Sequence, residues 1–149
     1  MELERLEQYF ETGQLRRIEP SPELAAKEFK EAAYDMAGAK QALAEKDYKW
    51  ATVKAYYAMF HSAKGILFLL GLKERAHFVI AEVLEQLSKD GKLESAYVSA
   101  FKAGIASREG ADYNYTYSKE TASELVIMAG EFVARMNRLK EMVWELATK

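Results

Sequence analysis

The residue types best suited to chemistry gather in one stretch, Arg108-Glu109-Gly110-Ala111-Asp112-Tyr113-Asn114-Tyr115-Thr116-Tyr117. A guanidinium, two carboxylates and three phenols there are more than a connection between helices requires. Positions 97, 101, 104 and 108 fall on one face of a helix, and that face is the apolar one. A guanidinium on it needs a partner. Either Asp112 or Glu109 pairs with Arg108 and locks the helix end, or the forked donor is offered to a phosphate. Tyr113, Tyr115 and Tyr117 have two readings as well. Their rings pack on the protein with hydroxyls outward, or they give nucleobases a stacking face and phosphate a hydroxyl to bind or to modify. The imidazoles are His61 and His77. Either could serve as a general base near neutral pH, although a lone histidine is more often a capped or packed residue. His77 stands near a helix start, where the dipole disfavours the cation. His61 lies with Lys54 and Lys64 within about 80° of one another around a helix at 100° per residue.

The composition removes other chemistries. There is no cysteine, so disulfides, thiolate metal sites and a Cys nucleophile are excluded. Two histidines are little material for a transition-metal centre, and carboxylates alone would favour Mg or Ca. The expectation is no metal site and no cofactor. No Gly-rich phosphate loop, G-x-S-x-G, H-E-x-x-H or paired E-x-x-H element occurs. With 21 basic and 23 acidic residues the net charge is −2, which gives no global field for a nucleic acid and leaves room for a local basic patch. Met1-Glu2-Leu3-Glu4-Arg5 does not read as a signal peptide. The most apolar stretch, Trp50 to Leu72, is interrupted by Lys54, His61, Ser62 and Lys64, so no membrane span is expected. These features imply a cytoplasmic protein.

The elements that must position these residues are helices. At 149 residues the chain reads as a single domain over residues 1–149 with its core at about 21–146. Leu3, Leu6 and Phe10 mark a short helix over about 2–12, ended near Gly13. Ser21-Pro22 is a helix start, a capping hydroxyl followed by proline at the first turn. Ala25, Phe29, Ala32, Met36, Ala39 and Leu43 then recur at spacings of four and three. From Tyr48 to Leu70 the pattern is apolar on nearly every side, as a central bundle helix requires, and Gly71 ends it. Ala76 to Leu87 makes an amphipathic stripe closed by Asp90-Gly91, and Leu93 to Ile105 makes the next. The last helix runs from near Ser118 to about Leu146, over 40 Å at about 1.5 Å per residue. A four-helix core leaves part of that length uncovered, so its end is expected to pack on the first helix or on a second subunit. No run of five or more residues reads as a strand. The fold class is an all-α, up-and-down bundle of five to six helices.

Trp50-Ala-Thr-Val-Lys54-Ala-Tyr56-Tyr57-Ala-Met-Phe60-His61-Ser-Ala-Lys64-Gly-Ile-Leu67 resembles the central helix of HEPN-domain proteins, in particular the small stand-alone prokaryotic branch. The resemblance continues through a Gly-containing turn, His77, an Asp-Gly-Lys-Leu turn and Arg108…Ala111-Asp112-Tyr113, covering roughly Glu23 to Phe132. It implies a bundle of four or five helices and a homodimer. Many members are metal-independent ribonucleases of toxin–antitoxin or defence systems, often paired with a minimal nucleotidyltransferase. Their motif is Arg, four to six residues, then His, extended in one branch to a Tyr two residues on. Arg108 takes the Arg position and Tyr115 the final Tyr, while Tyr113 stands where the family has His. A tyrosine of ordinary pKa, about 10, gives and takes protons near pH 7 far less readily than histidine. General-base catalysis is worth about 10²–10⁴-fold, so its loss would silence cleavage and spare binding. The resemblance therefore implies catalytic roles at Arg108 and Tyr113 and binding roles for Asp112, Tyr115, His61, His77 and Lys54. It implies an RNA- or nucleotide-related component acting with a nucleotidyltransferase, an active ribonuclease, or a dimeric scaffold in which Arg108 serves stability alone.

Overall fold

The computed structural model describes residues 3–113 and 117–149, with the side chains of 111–113 left out. A 3₁₀ turn at Glu4–Leu6 leads into α1 (Glu7–Glu11); then come β1 (Leu15–Arg17), α2 (Pro22–Ala44), α3 (Tyr48–Leu70), β2 (Leu72–Glu74), α4 (His77–Lys89), α5 (Ser95–Tyr113) and α6 (Lys119–Thr148). The all-α bundle implied by the apolar periodicity is the fold. Ser21 Oγ accepts from the Leu24 N–H, Asp47 Oδ1 from the Trp50 N–H and Ser118 Oγ from the Thr121 N–H, so three helices start where a side chain satisfies an orphan donor. Gly71 ends α3 in the left-handed region at φ +78°. A Cβ there would stand 2.8 Å from the Ile18 carbonyl oxygen, so the turn needs glycine twice over.

Helix α3 is the axis of the molecule, as its all-round apolar character requires. Tyr56, Met59, Ile66 and Leu67 are fully buried. Helix α2 runs antiparallel to it: Phe29 meets Gly65, whose missing Cβ would lie 2.7 Å from the ring, and Gly38 meets the Lys54 stem. The Phe101 and Phe132 rings stack at 5.8 Å between α5 and α6, and about one turn further along α6 Arg135 donates to both oxygens of Glu94 at 2.6 and 3.0 Å, just before the start of the antiparallel α5. The last turns of α6 lie along the start of α2, where Lys140 Nζ stands 4.1 Å above the Phe29 ring and Trp144 faces Pro22 and Ala25 across a groove.

The structure adds a two-stranded antiparallel ribbon, Leu15 opposite Glu74 and Arg17 opposite Leu72. Three residues per strand are too few for a period-two signal. What holds the ribbon is tertiary: Leu15 and Leu72 are buried, the Ile18 N–H donates to Gly71 O, and the Arg75 N–H donates to Gln14 O. Among the described residues no helix is long and apolar enough to cross a membrane.

Candidate functional site

The apolar face of α5 does carry Arg108 to the centre. Phe101 and Gly104 are buried against α3, and Arg108 follows them half-buried. Gly104 permits this approach, since a Cβ there would lie 3.2 Å from Tyr56 Cδ1 and 3.3 Å from Met59 Sδ. The guanidinium carbon then stands 5.5 Å from the centre of the Tyr57 ring and 6.0 Å from that of Tyr56, within cation–π range of both.

Tyr56 links Arg108 to a histidine. Its hydroxyl lies 2.6 Å from His77 Nδ1. The bond has two forms: Tyr56 O–H donates to Nδ1, or Nδ1–H donates to the phenol oxygen and leaves Nε2 with a lone pair. The imidazole lies against two rings of α3, its centre 4.4 Å from that of Phe60 and 5.7 Å from that of Tyr56, with the ring planes inclined at 29° and 23°. Burial, then the charges of Arg108 and Lys64, push its pKa below the ordinary value of 6.5. Burial pushes the Tyr56 phenol well above its ordinary 10, with the Arg108 charge opposing. At neutral pH the cluster therefore holds a guanidinium, a neutral phenol and a neutral imidazole.

Glu74 closes the far side from β2. It is 8% exposed, its Oε1 has no hydrogen-bond partner, and burial raises its pKa against the pull of Lys64. Burying a carboxylate is costly, and here nearby Lys64 offsets that cost only in part.

His61 is placed differently. Its Nδ1 lies 2.6 Å from Glu28 Oε2 and its Nε2 3.6 Å from Asp35 Oδ2, two carboxylates of α2 on opposite edges of one ring. Such an arrangement cannot converge on a metal ion, and among the described residues no group of three His, Asp or Glu is placed to hold one. Lys54 sits near the Asp35 carboxylate and over Gly38. The bundle thus brings His77 to Arg108 through Tyr56, and ties His61 and Lys54 to α2. Tyr113 is the last residue of α5 and Asp112 lies in its last turn, their side chains outside the described residues, as is Tyr115 altogether. Whether Asp112 pairs with Arg108 lies outside them too.

Tyr56, Tyr57 and Glu74 carry the geometry without having been singled out by residue type. For Tyr56 a signal existed: a phenol in the middle of an apolar central helix has to find a partner for its hydroxyl. For Glu74 none did, since burial of a Leu-Lys-Glu segment depends on the ribbon.

Comparison with known proteins fits this architecture. A solved structure, TT1696 from Thermus thermophilus, superposes with a TM-score of 0.67 over 77% of this chain and 97% of that one at 21% identity, a likeness of fold. The Methanocaldococcus jannaschii protein named "Putative toxin MJ0605" is 30% identical over 115 residues, 75% of this chain and 86% of that protein. The model of the HEPN domain matches residues 25–139, a span that starts in the first turn of α2, contains the whole Arg108–Tyr56–His77 cluster and ends in α6. With the bundle, the central Tyr-Tyr-Ala-Met-Phe-His helix and this match in agreement, the chain belongs to the HEPN family.

Proposed function

We propose that this HEPN protein is the toxin-type member of a toxin–antitoxin pair and that it cleaves RNA at Arg108 with His77 as general base. One observation carries the reading: Tyr56 connects a guanidinium to a neutral imidazole in the same half-buried cluster. The base absent at position 113 is supplied from another helix. Arg108 holds the scissile phosphate through its fork. His77, with Nδ1–H donating to Tyr56, takes the 2′-hydroxyl proton at Nε2. The 2′-oxygen then bonds to the adjacent phosphorus, the bond to the 5′-oxygen breaks, and that oxygen leaves with a proton from solvent. The product ends are a 2′,3′-cyclic phosphate and a 5′-hydroxyl. The kinship with a protein named as a toxin supports the toxin part of the reading.

Incubation of purified protein with single-stranded RNA in EDTA tests it. Cleavage should appear, fall by about 10²-fold or more in His77→Ala, and vanish in Arg108→Ala. Absence of cleavage by the intact protein, with RNA still bound, would leave a binding module. In that module, as in the toxin, a minimal nucleotidyltransferase is the proposed partner and a homodimer the proposed assembly. Co-expression with a neighbouring nucleotidyltransferase and co-purification test the partner, and sedimentation tests the dimer.

A further inference from the structure

Among the described residues of α3 between Ala51 and Leu69, Lys54, Tyr57, His61 and Lys64 are the positions that meet solvent; the others are buried. Their spacing of three, four and three makes one seam, and Trp50, four residues earlier and 48% exposed, begins it. Aromatic and basic side chains alternate along it. Its lower half, from His61 on, is taken up by the carboxylates of Glu28 and Asp35, the second of which also lies near Lys54. Its upper half opens on a cavity of about 440 Å³ lined by Gly38, Gln41, Ala42, Glu45, Asp47, Trp50 and Lys54. Three features of that cavity suit one kind of ligand.

The first is the indole, an aromatic plate at the wall of a cavity in the size range of small-molecule sites. The second is the charge along the way to Arg108. Lys49 Nζ stands 5.6 Å from the Trp50 ring centre, Lys54 lines the cavity, and Tyr57, which carries Arg108 at 5.5 Å, comes next on the seam. Trp50 and Tyr57 are separated by about 10 Å of helix, within reach of neighbouring nucleotides of one strand. The third is the polar edge. Gln41 Nε2 donates to Glu45 Oε1 at 3.1 Å, which leaves the Gln41 carbonyl and the second Glu45 oxygen as acceptors. Guanine presents two adjacent N–H donors on its Watson–Crick edge, whereas uracil presents one between two carbonyls.

We infer that the Trp50–Gln41–Glu45 cavity is a nucleobase subsite that takes a guanine of single-stranded RNA next to the nucleotide held at Arg108. The inference rests on the proposed reading of Arg108 and deepens it, giving the site a sequence preference. Stacking on Trp50 supplies affinity, Glu45 supplies the choice of base, and Lys54 holds the intervening backbone.

The test uses the full chain with Trp144→Phe, so that Trp50 alone emits, and 2′-O-methylated tetranucleotides, which lack the nucleophile and report binding only. UUGU RNA should quench Trp50 and bind about tenfold or more tightly than UUUU RNA. With fluorescein-labelled UUGU, Trp50→Ala should weaken binding about tenfold. Glu45→Gln should keep the quenching and erase the preference for guanosine. Trp50 is half-exposed, so its replacement spares the core, and circular dichroism checks this. Unchanged affinity in Trp50→Ala with affinity lost in Arg108→Ala would overturn the subsite and leave the Arg108 reading standing. Loss in Trp50→Ala with none in Arg108→Ala would do the reverse to the two. Dissociation of a dimer by Trp50→Ala without change in RNA affinity would show that a second copy covers this face, and would also overturn the subsite.

Discussion

At the scale of residues, the His77–Tyr56 pair makes the sharpest demands. Because burial and two cations lower the His77 pKa, the unfolded chain binds a proton there more readily than the folded one. Stability from this group is complete above the unfolded value of about 6.5 and is lost as pH falls toward the lowered folded value. Asp35 and Glu74 act with the opposite sign, since burial raises both. Ionising them costs stability as pH rises through and above the ordinary carboxylate range. The useful quantity is therefore a difference: denaturant midpoints of the protein and of His77→Gln should converge as pH falls below 6.5, and parallel curves would refute the assignment. Tyr56→Phe keeps the ring and removes the hydroxyl. It should cost about 1 kcal/mol in urea unfolding. If Tyr56 positions His77, it should also shift the acid limb of the cleavage profile, which a merely structural phenol would leave in place. Arg108→Lys keeps the charge and loses the fork, so cleavage should fall about tenfold or more while the fold stays intact.

At the scale of elements, close approach of helices is set by glycines of unequal tolerance. A Cβ at Gly65 would stand 2.7 Å from the Phe29 ring, which is wedged between α2 and α3 with Lys140 over its face. Ala at position 65 gains about 1 kcal/mol of helix propensity, yet the clash costs more, so Gly65→Ala should be destabilising by about 1–2 kcal/mol net. At Gly104 the tightest contacts are 3.2 and 3.3 Å, and one of them is the pliable Met59 sulfur. Gly104→Ala should leave the melting temperature nearly unchanged, because propensity and crowding offset each other. It should still lower cleavage, because the ring that gives way, Tyr56, is the one that holds His77. A large stability loss without a change in activity would contradict the placement of α5.

At the scale of the whole molecule, a net charge of −2 means that RNA is attracted by a few cations. Lys49, Lys54 and Arg108 at about 0.7 each give a slope near −2 for log affinity against log salt; a much steeper slope would point to a basic surface elsewhere. The sequence by itself determined the bundle, the cap at Ser21, the start of the last helix near Ser118, the central place of α3 and the membership of Arg108 in an apolar face, whereas the cap at Asp47 emerged with the structure. Those follow from local rules, the 3.6-residue period and the need of a helix end for acceptors. It also separated His61 and His77 as candidates without ranking them, since each was a lone imidazole on a helix. Tertiary structure ranked them. The turn at Gly71 and the β1–β2 ribbon swing α4 back so that His77 reaches Tyr56, while the antiparallel return of α2 places Glu28 and Asp35 on His61. Which imidazole meets a cation and which meets carboxylates depends on contacts 21 to 33 residues apart, and no local period encodes these.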